Sequence, residues 1–93
     1  MQIDITGRGF SITEALKQII TEKFEELNKR YALSDVHVVL GLESAYMHFA
    51  EATVKLAHTG TFHAIAHFQD MYECIDILIN KINAQLLKHK EQM

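Results

Sequence analysis

The chain has 93 residues, with nine Lys and Arg against twelve Asp and Glu, a formal net charge of −3 with His neutral, no proline and one cysteine. This length, without a linker-like stretch, predicts a single domain over residues 1–93. The absence of a long apolar run and of a basic, then apolar N-terminal region predicts a cytoplasmic protein with no membrane partner. A net negative charge is the wrong sign for a generic polyanion binder, so a nucleic-acid role would require positive charge to be concentrated locally.

The N-terminal third predicts a strand followed by a helix. Residues 2–6 alternate between apolar and polar side chains and end at Gly7, which is typical of a short strand. Ser11 and Glu14 match the S-x-x-E capping box and predict the start of a helix. The apolar stripe of this helix recurs at steps of three and four. Its members are Ile12, Ala15, Leu16, Ile19, Ile20, Phe24, Leu27 and Tyr31.

The middle of the chain has a period of two and predicts three further strands. Residues 36–43 are rich in β-branched and apolar side chains, and residues 44–47 read as a loop. Residues 51–56 and 62–68 alternate on either side of 58–61, which contain a turn glycine, so they predict a hairpin. The in-phase apolar positions of the first of these strands are Val36, Val38, Leu40 and Leu42.

A second helix is predicted to begin after Asp70, a plausible N-cap with Glu73 at the capping-box position. Its buried stripe comprises Met71, Ile75, Leu78, Ile79, Ile82 and Leu86. The predicted order is therefore β-α-β-β-β-α. Two helices with one apolar stripe each must cover the same face of the four-stranded sheet, which gives an α+β two-layer sandwich with the other sheet face open.

The residue types of catalytic and metal sites are present but not in the required patterns. His63 and His67 share a strand face, whereas His37 lies on a different strand, and zinc needs three or four convergent ligands. Cys74 falls in the first turn of the second helix, where the macrodipole favours a thiolate, yet no motif supplies a base or an oxyanion hole. No nucleotide-binding or metalloprotease signature occurs. We therefore expect no enzyme activity, metal, cofactor or small-molecule substrate.

Basic residues are concentrated toward the end of the second helix. At 100° per residue, Lys81, Gln85 and Lys88 fall on one flank beside the buried stripe, with His89 and Lys90 close by. On the first helix, Lys17 lies on a polar flank, and Lys23 borders the stripe. Such lysines can contact phosphates, but they can also simply offset the helix dipole and keep the surface soluble. From the residues alone, the second explanation is the more common one.

The amino-acid sequence of the second helix favours phosphate contact over the purely structural explanation of these lysines. Residues 69–90 read Q-D-M-Y-E-C-I-D-I-L-I-N-K-I-N-A-Q-L-L-K-H-K. This resembles the ribosome hibernation-promoting factor family, in which a D-M-Y-x-x-I-D-x-L-I-x-K helix ends in Q-L-x-K-H-K. The family's M-Q-x-x-I-T-G start and I-T-E-A-L-[KR] helix opening match residues 1–7 and 12–17. The resemblance covers essentially the whole chain.

The resemblance implies a fold similar to double-stranded RNA-binding domains, seated in the mRNA and tRNA channel of the small ribosomal subunit. Translation would stop by steric exclusion, in stationary phase or under stress. The short length resembles family members that promote inactive ribosome dimers with a separate modulation factor. Relatives often have a basic residue in place of Glu26 or Ala84, so affinity is expected to be lower here. The implied rRNA-binding residues are Lys17, Lys23, Lys81, Gln85, Lys88, His89 and Lys90.

Two other hypotheses remain open at this level. The open sheet face could be a protein-interaction surface, with Val39 and Ile65 exposed among three histidines. Independently, the six histidines could gain positive charge on acidification and strengthen RNA binding in an acidified cell.

Overall fold

The computed structural model describes residues 1–92 and confirms the α+β class and the β-α-β-β-β-α order. Each strand and helix predicted from the periodicity is present, with bounds shifted by a few residues. The elements are β1 (Gln2–Arg8), α1 (Glu14–Tyr31), β2 (Leu33–Ser44), β3 (Met47–Leu56), β4 (Gly60–Phe68) and α2 (Met71–Glu91).

The four strands form one mixed sheet in the order β1-β2-β3-β4. β1 is parallel to β2, because α1 supplies the long connection that a parallel pair requires. The other pairs are antiparallel hairpins. Ser44 pairs with Met47, so the expected loop over 44–47 is reduced to a two-residue turn, Ala45 and Tyr46. β4 is an edge strand of this sheet.

The hydrophobic core lies between the helices and one face of the sheet. The strand register aligns the apolar side chains in rows, for example Ile5 beside Val38, Val38 beside Ala52, and Ala52 beside Ala64. The half of the sheet beneath α2 is lined by alanines at four positions, so that this helix can approach the strands closely. These are Ala50, Ala52, Ala64 and Ala66, none more than 6% exposed.

Both helices are amphipathic, as their sequence periods predict. The fully covered positions of α1 are Leu16, Ile20, Phe24 and Leu27, and those of α2 are Met71, Cys74, Ile75, Leu78, Ile82 and Leu86. Ala15, which was expected in the stripe of α1, is exposed. Within the part of the chain that the structure describes, neither helix combines the length and apolar content needed to cross a membrane.

The sheet face opposite the helices is less open than expected. Phe49, only 6% exposed, lies across Gly41, where an added Cβ would stand 2.6 Å from Phe49 Cζ. The Arg8 guanidinium carbon lies 5.7 Å from the centroid of the Phe49 ring. Val39 is on the same face and is only 8% exposed, so the expectation that it would be an exposed apolar anchor is wrong.

Leu42 departs from the predicted core phase in the opposite direction, since it is 47% exposed. It pairs with His48, beyond the last alanine row, and the register shifts between Leu42 and Ser44. The β2–β3 hairpin therefore extends past the helices, and periodicity alone cannot show where their cover ends.

The N-cap of α1 is Thr13 and not Ser11. Thr13 has extended backbone angles, and its side chain oxygen accepts a hydrogen bond from the backbone N–H of Leu16 at 3.1 Å. Glu14 is then the first helical residue, too early for the partner position of a capping box. In α2 the predicted cap is confirmed, because Asp70 Oδ1 accepts from the N–H of Tyr72 at 2.8 Å.

Replacing the two candidate caps separates them experimentally. Thr13→Ala is expected to lower the free energy of unfolding by about 1 kcal/mol, because one N–H of the first turn loses its acceptor. Ser11→Ala serves as the matched control and is expected to leave that free energy within about 0.5 kcal/mol of the parent. Urea unfolding followed by circular dichroism measures both, and a larger loss for Ser11→Ala would contradict the assignment.

Candidate nucleic-acid interface

The two helices run in the same direction across the sheet. Near the middle of α1, Lys23 Nζ lies 2.7 Å from Asp76 Oδ1 of α2. Two turns later, the hydroxyl of Tyr31 donates to Asn83 Oδ1 at 3.2 Å. Both contacts move toward the C-terminus of α1 and of α2 together, so the C-terminal ends of the two helices lie at the same end of the molecule.

This shared end is basic. Positive side chains occupy the last turn of each helix, where they also complement the negative ends of the two helix dipoles. Lys90 Nζ lies 6.0 Å from the centroid of the Tyr31 ring, so the two last turns are adjacent in space. We call this region the basic end, and its members are Lys29, Arg30, Lys88, His89 and Lys90. The first turns of the helices are acidic, with Glu14 and Glu73.

A second group lies on the flank of α2 that faces the sheet edge. Lys81 Nζ donates to the carbonyl oxygen of Ile65 at 2.7 Å, and Gln85 Nε2 donates to that of His63 at 2.8 Å. Both carbonyls belong to β4, the edge strand, whose outward groups have no neighbouring strand. Lys81 and Gln85 therefore satisfy and cover part of an exposed edge. Lys88 is exposed further along the same flank.

The seven side chains predicted to contact rRNA do not form one continuous strip. Lys81, Gln85 and Lys88 share the β4 flank, and Lys88 also belongs, with His89 and Lys90, to the basic end. Lys23 is engaged by Asp76 between the helices. Lys17 lies on the outer surface of α1, in a shallow depression that it shares with three glutamates, Glu14, Glu22 and Glu25.

His89 faces inward from the basic end. Its ring packs edge-on against Phe62, with the centroids 5.1 Å apart. Its Nε2 is buried without a hydrogen-bond partner among residues 1–92. A buried polar atom of this kind normally finds a partner in water or in a ligand, so the position of His89 differs from that of the exposed lysines beside it.

Reasoning from the sequence missed Lys29 and Arg30. They lie in the last turn of the first helix, where basic residues are common, so the sequence gives no sign of a special role for them. Arg30 becomes relevant only because the parallel helices bring it to the same depression as Lys90. Their place in the last turn was visible in the sequence, but the relative direction of the helices was not.

The histidines of the sheet face are paired with carboxylates. His37 lies 2.9 Å from Asp4, and His63 lies 2.8 Å from Glu51. His67 lies 3.3 Å from Glu43. These pairs lie on the sheet face turned away from the helices. Across residues 1–92 no group of three or more potential metal-ligating side chains converges.

Cys74 is a buried residue of the first turn of α2, and its side chain faces the sheet. Its thiol donates to the carbonyl oxygen of Ala66 at 3.2 Å. Burial raises the pKa of the Cys74 thiol above its ordinary value, a larger effect than the opposing hydrogen bonds and the positive charge of Lys81. The thiol is therefore held in its protonated, weakly nucleophilic form.

Fold and charge together define the class: a small α+β domain that presents a locally basic helix layer. The family model for sigma 54 modulation protein / S30EA ribosomal protein matches residues 3–93. The chain is 43% identical to the ribosome hibernation promoting factor of Escherichia coli strain K12, over 100% of this chain and 97% of that protein. It is 33% identical to the protein of that name from Azotobacter vinelandii, over 99% of this chain and 85% of that protein.

Solved structures agree with this assignment. A ribosomal subunit interface protein from Coxiella burnetii has a TM-score of 0.89 and 32% identity, and the match covers 98% of this chain and 99% of that one. The N-terminal domain of Thermus thermophilus Protein Y has a TM-score of 0.83 and 26% identity, over 92% of this chain and 96% of that one. The chain belongs to the sigma 54 modulation protein / S30EA ribosomal protein family.

The state of Cys74 can be tested by its reactivity. In the folded protein it is expected to react with Ellman's reagent far more slowly than a free thiol, and to react at once when urea is added. The pKa of the Cys74 thiol is higher in the folded than in the unfolded protein. The contribution of the buried neutral thiol to stability is therefore fully present below the pKa of the unfolded protein, and it is lost as the pH rises through the pKa of the folded protein. Rapid labelling of the folded protein near neutral pH would contradict this account.

Proposed function

We propose that this chain is a cytoplasmic ribosome hibernation factor that binds the small ribosomal subunit. In this proposal it occupies the channel of mRNA and tRNA and blocks translation in stationary phase or under stress. It also promotes inactive ribosome dimers together with a separate modulation factor. The proposal is supported by family membership, by the names of the relatives and by the resemblance in both helices. It requires no catalytic step, because occupancy of the channel is sufficient.

The observation that carries the proposal is the convergence of the two helix C-terminal ends. A chain of net charge −3 is repelled on average by a polyanion, so binding needs a region where the local field is positive. The basic end supplies such a region, because four of its five members are Lys or Arg. Glu91, the last residue of α2, is the one carboxylate in these last turns, and the other carboxylates of the described residues lie earlier along the helices, at their N-terminal ends or on the strands.

The individual residues would contribute in different ways. Lys88 and Lys90 are exposed and extend from the last turns of α2, where they can reach phosphates directly. Lys81 and Gln85 would exchange their bonds to β4 carbonyls for bonds to the backbone of rRNA. Lys23 would leave Asp76, at a cost of about 1 kcal/mol or less for a partly exposed ion pair. Lys17 and His89 remain candidates by resemblance.

Salt-dependent sedimentation with purified small subunits tests the phosphate contacts. Reversing Lys81 and Lys88 to Glu is expected to lower the slope of log K against log salt by about two units, because about one unit is lost per phosphate contact. Lys55→Glu is the matched control for each single reversal, since Lys55 is exposed on the opposite sheet face. Melting curves confirm that the variants fold. Binding that is insensitive to salt and unchanged by the reversals would refute the contacts.

Occupancy of the channel is tested by competition. Saturating protein is expected to displace a fluorescently labelled mRNA fragment from the small subunit, in proportion to the fraction of subunits occupied. Simultaneous stable binding of both would contradict steric exclusion, even if sedimentation showed tight association.

The ion pair between the helices gives an independent test of the proposed contact of Lys23 with rRNA. Asp76→Asn removes the partner of Lys23, whereas Glu73→Gln makes the same change of charge on the same helix, at a residue without an ion pair among residues 1–92. If Lys23 reaches a phosphate, Asp76→Asn is expected to tighten binding to small subunits several-fold more than Glu73→Gln. Equal effects would show that only net charge matters and would remove Lys23 from the contact set.

A further inference from the structure

The basic end encloses a depression that phosphate contacts alone do not explain. Its volume is about 290 Å³, at the lower limit of typical small-molecule sites, and it lies between the last turns of the helices and the β3–β4 turn. Ala32, Leu56 and Leu86 line its interior together with the Tyr31 ring, and Arg30 and Lys90 stand at its rim. The site is therefore apolar inside and cationic at its edge.

The depression combines an aromatic ring, basic side chains and backbone carbonyl groups of a helix end. The ammonium group of Lys90 lies over the partly buried Tyr31 ring, 6.0 Å from its centroid. A base that stacks on this face of the ring would therefore displace Lys90 toward an adjacent phosphate. Ala32 adopts the left-handed conformation with φ 53°, and its N–H bonds to the carbonyl oxygen of Asn28. The backbone carbonyl groups that follow Asn28 at the end of α1 receive no N–H donor from within the helix. They can therefore accept hydrogen bonds from exocyclic amines of a base.

We propose that this depression, the Tyr31 site, binds one unstacked nucleobase of the bound RNA while Arg30 and Lys90 hold an adjacent phosphate. The inference rests on the proposed function and adds base recognition to it. Proteins that recognise single-stranded RNA commonly stack unpaired bases on aromatic side chains. An acidic peptide would satisfy the cationic rim but would leave the apolar interior and the Tyr31 ring without a flat partner.

His89 also borders this depression, although its Nε2 is buried below the surface. His89 lines the depression, and this nitrogen has no hydrogen-bond partner within residues 1–92. A nucleotide seated in the Tyr31 site would bond to this buried nitrogen only after the His89 ring turned it toward the depression, which would give His89 a role different from that of Lys88 and Lys90.

The test is a nuclear magnetic resonance titration of the intact protein with adenosine 5′-monophosphate, with ribose 5-phosphate as the base-free probe. The nucleotide is expected to shift the signals of Ala32 and Leu86 in a saturable way. Ribose 5-phosphate is expected to bind at least tenfold more weakly and to leave Leu86 unshifted. Equal effects of the two probes would overturn the proposal, because they would show a phosphate site without base recognition.

Two pairs of variants place the binding. Ala57→Phe fills the mouth of the depression from the β3–β4 turn and is expected to abolish the Leu86 shift, whereas Ala45→Phe in the opposite turn is expected to preserve it. Tyr31→Leu keeps an apolar side chain but removes the aromatic ring, and is expected to weaken nucleotide binding about tenfold. Tyr46→Leu is its control, since Tyr46 is 81% exposed. Unchanged spectra elsewhere show that each variant is folded.

The outcomes separate this inference from the proposed function. If the protein sediments with small subunits but the nucleotide shifts none of its signals, the Tyr31 site is overturned and the hibernation role remains intact. Shifts that survive Ala57→Phe would also overturn it. An acidic hexapeptide that shifts Leu86 as strongly as the nucleotide would identify a protein-docking surface instead. Nucleotide binding without small-subunit binding would support the site and refute the proposed function.

Discussion

The close packing of α2 on the alanine-lined half of the sheet is the constraint on which the rest of the structure depends. Four small side chains, Ala50, Ala52, Ala64 and Ala66, let the helix approach β3 and β4. At this distance Lys81 and Gln85 reach the carbonyls of β4. The same placement sets α2 beside α1, so that both helices end together. A larger residue at one of these positions would lift the helix and change the edge cover and the basic end at once.

Charge separation follows from this arrangement and accounts for the apparent conflict between composition and function. Each helix has an acidic residue in its first turn and basic residues in its last turn, with Glu91 as the exception, and this pattern stabilises isolated helices through their dipoles. In a pair of parallel helices the two patterns reinforce each other, because like ends are adjacent. A sequence of net negative charge thereby gains a positive region without an excess of lysine. The carboxylates of the sheet face, paired with His37, His63 and His67, lie on the other side.

The side chains proposed to bind RNA also have structural roles in the unbound protein. Lys81 and Gln85 protect an edge strand, Lys23 links the helices, and Tyr31 bonds to Asn83. Binding of RNA by the first three would exchange internal contacts for external ones, so part of the interaction energy would offset what is lost. This coupling gives a physical reason why a residue in such a surface can affect both stability and affinity.

The sequence by itself determined the elements and the layer architecture, because periods of two and 3.6 specify which side chains must be buried together. It also indicated the family, through the wording at both ends of the chain. Only the tertiary structure decided what depends on neighbours: that Thr13 caps α1, that Phe49 covers Gly41 and that Val39 is buried. It likewise decided that Arg30, Tyr31 and Lys90 line one depression. The Thr13 cap is local, with its donor Leu16 three residues away, and the structure only chose between two neighbouring candidates. The other features bring together residues on different elements, and a local pattern carries no information about their distance.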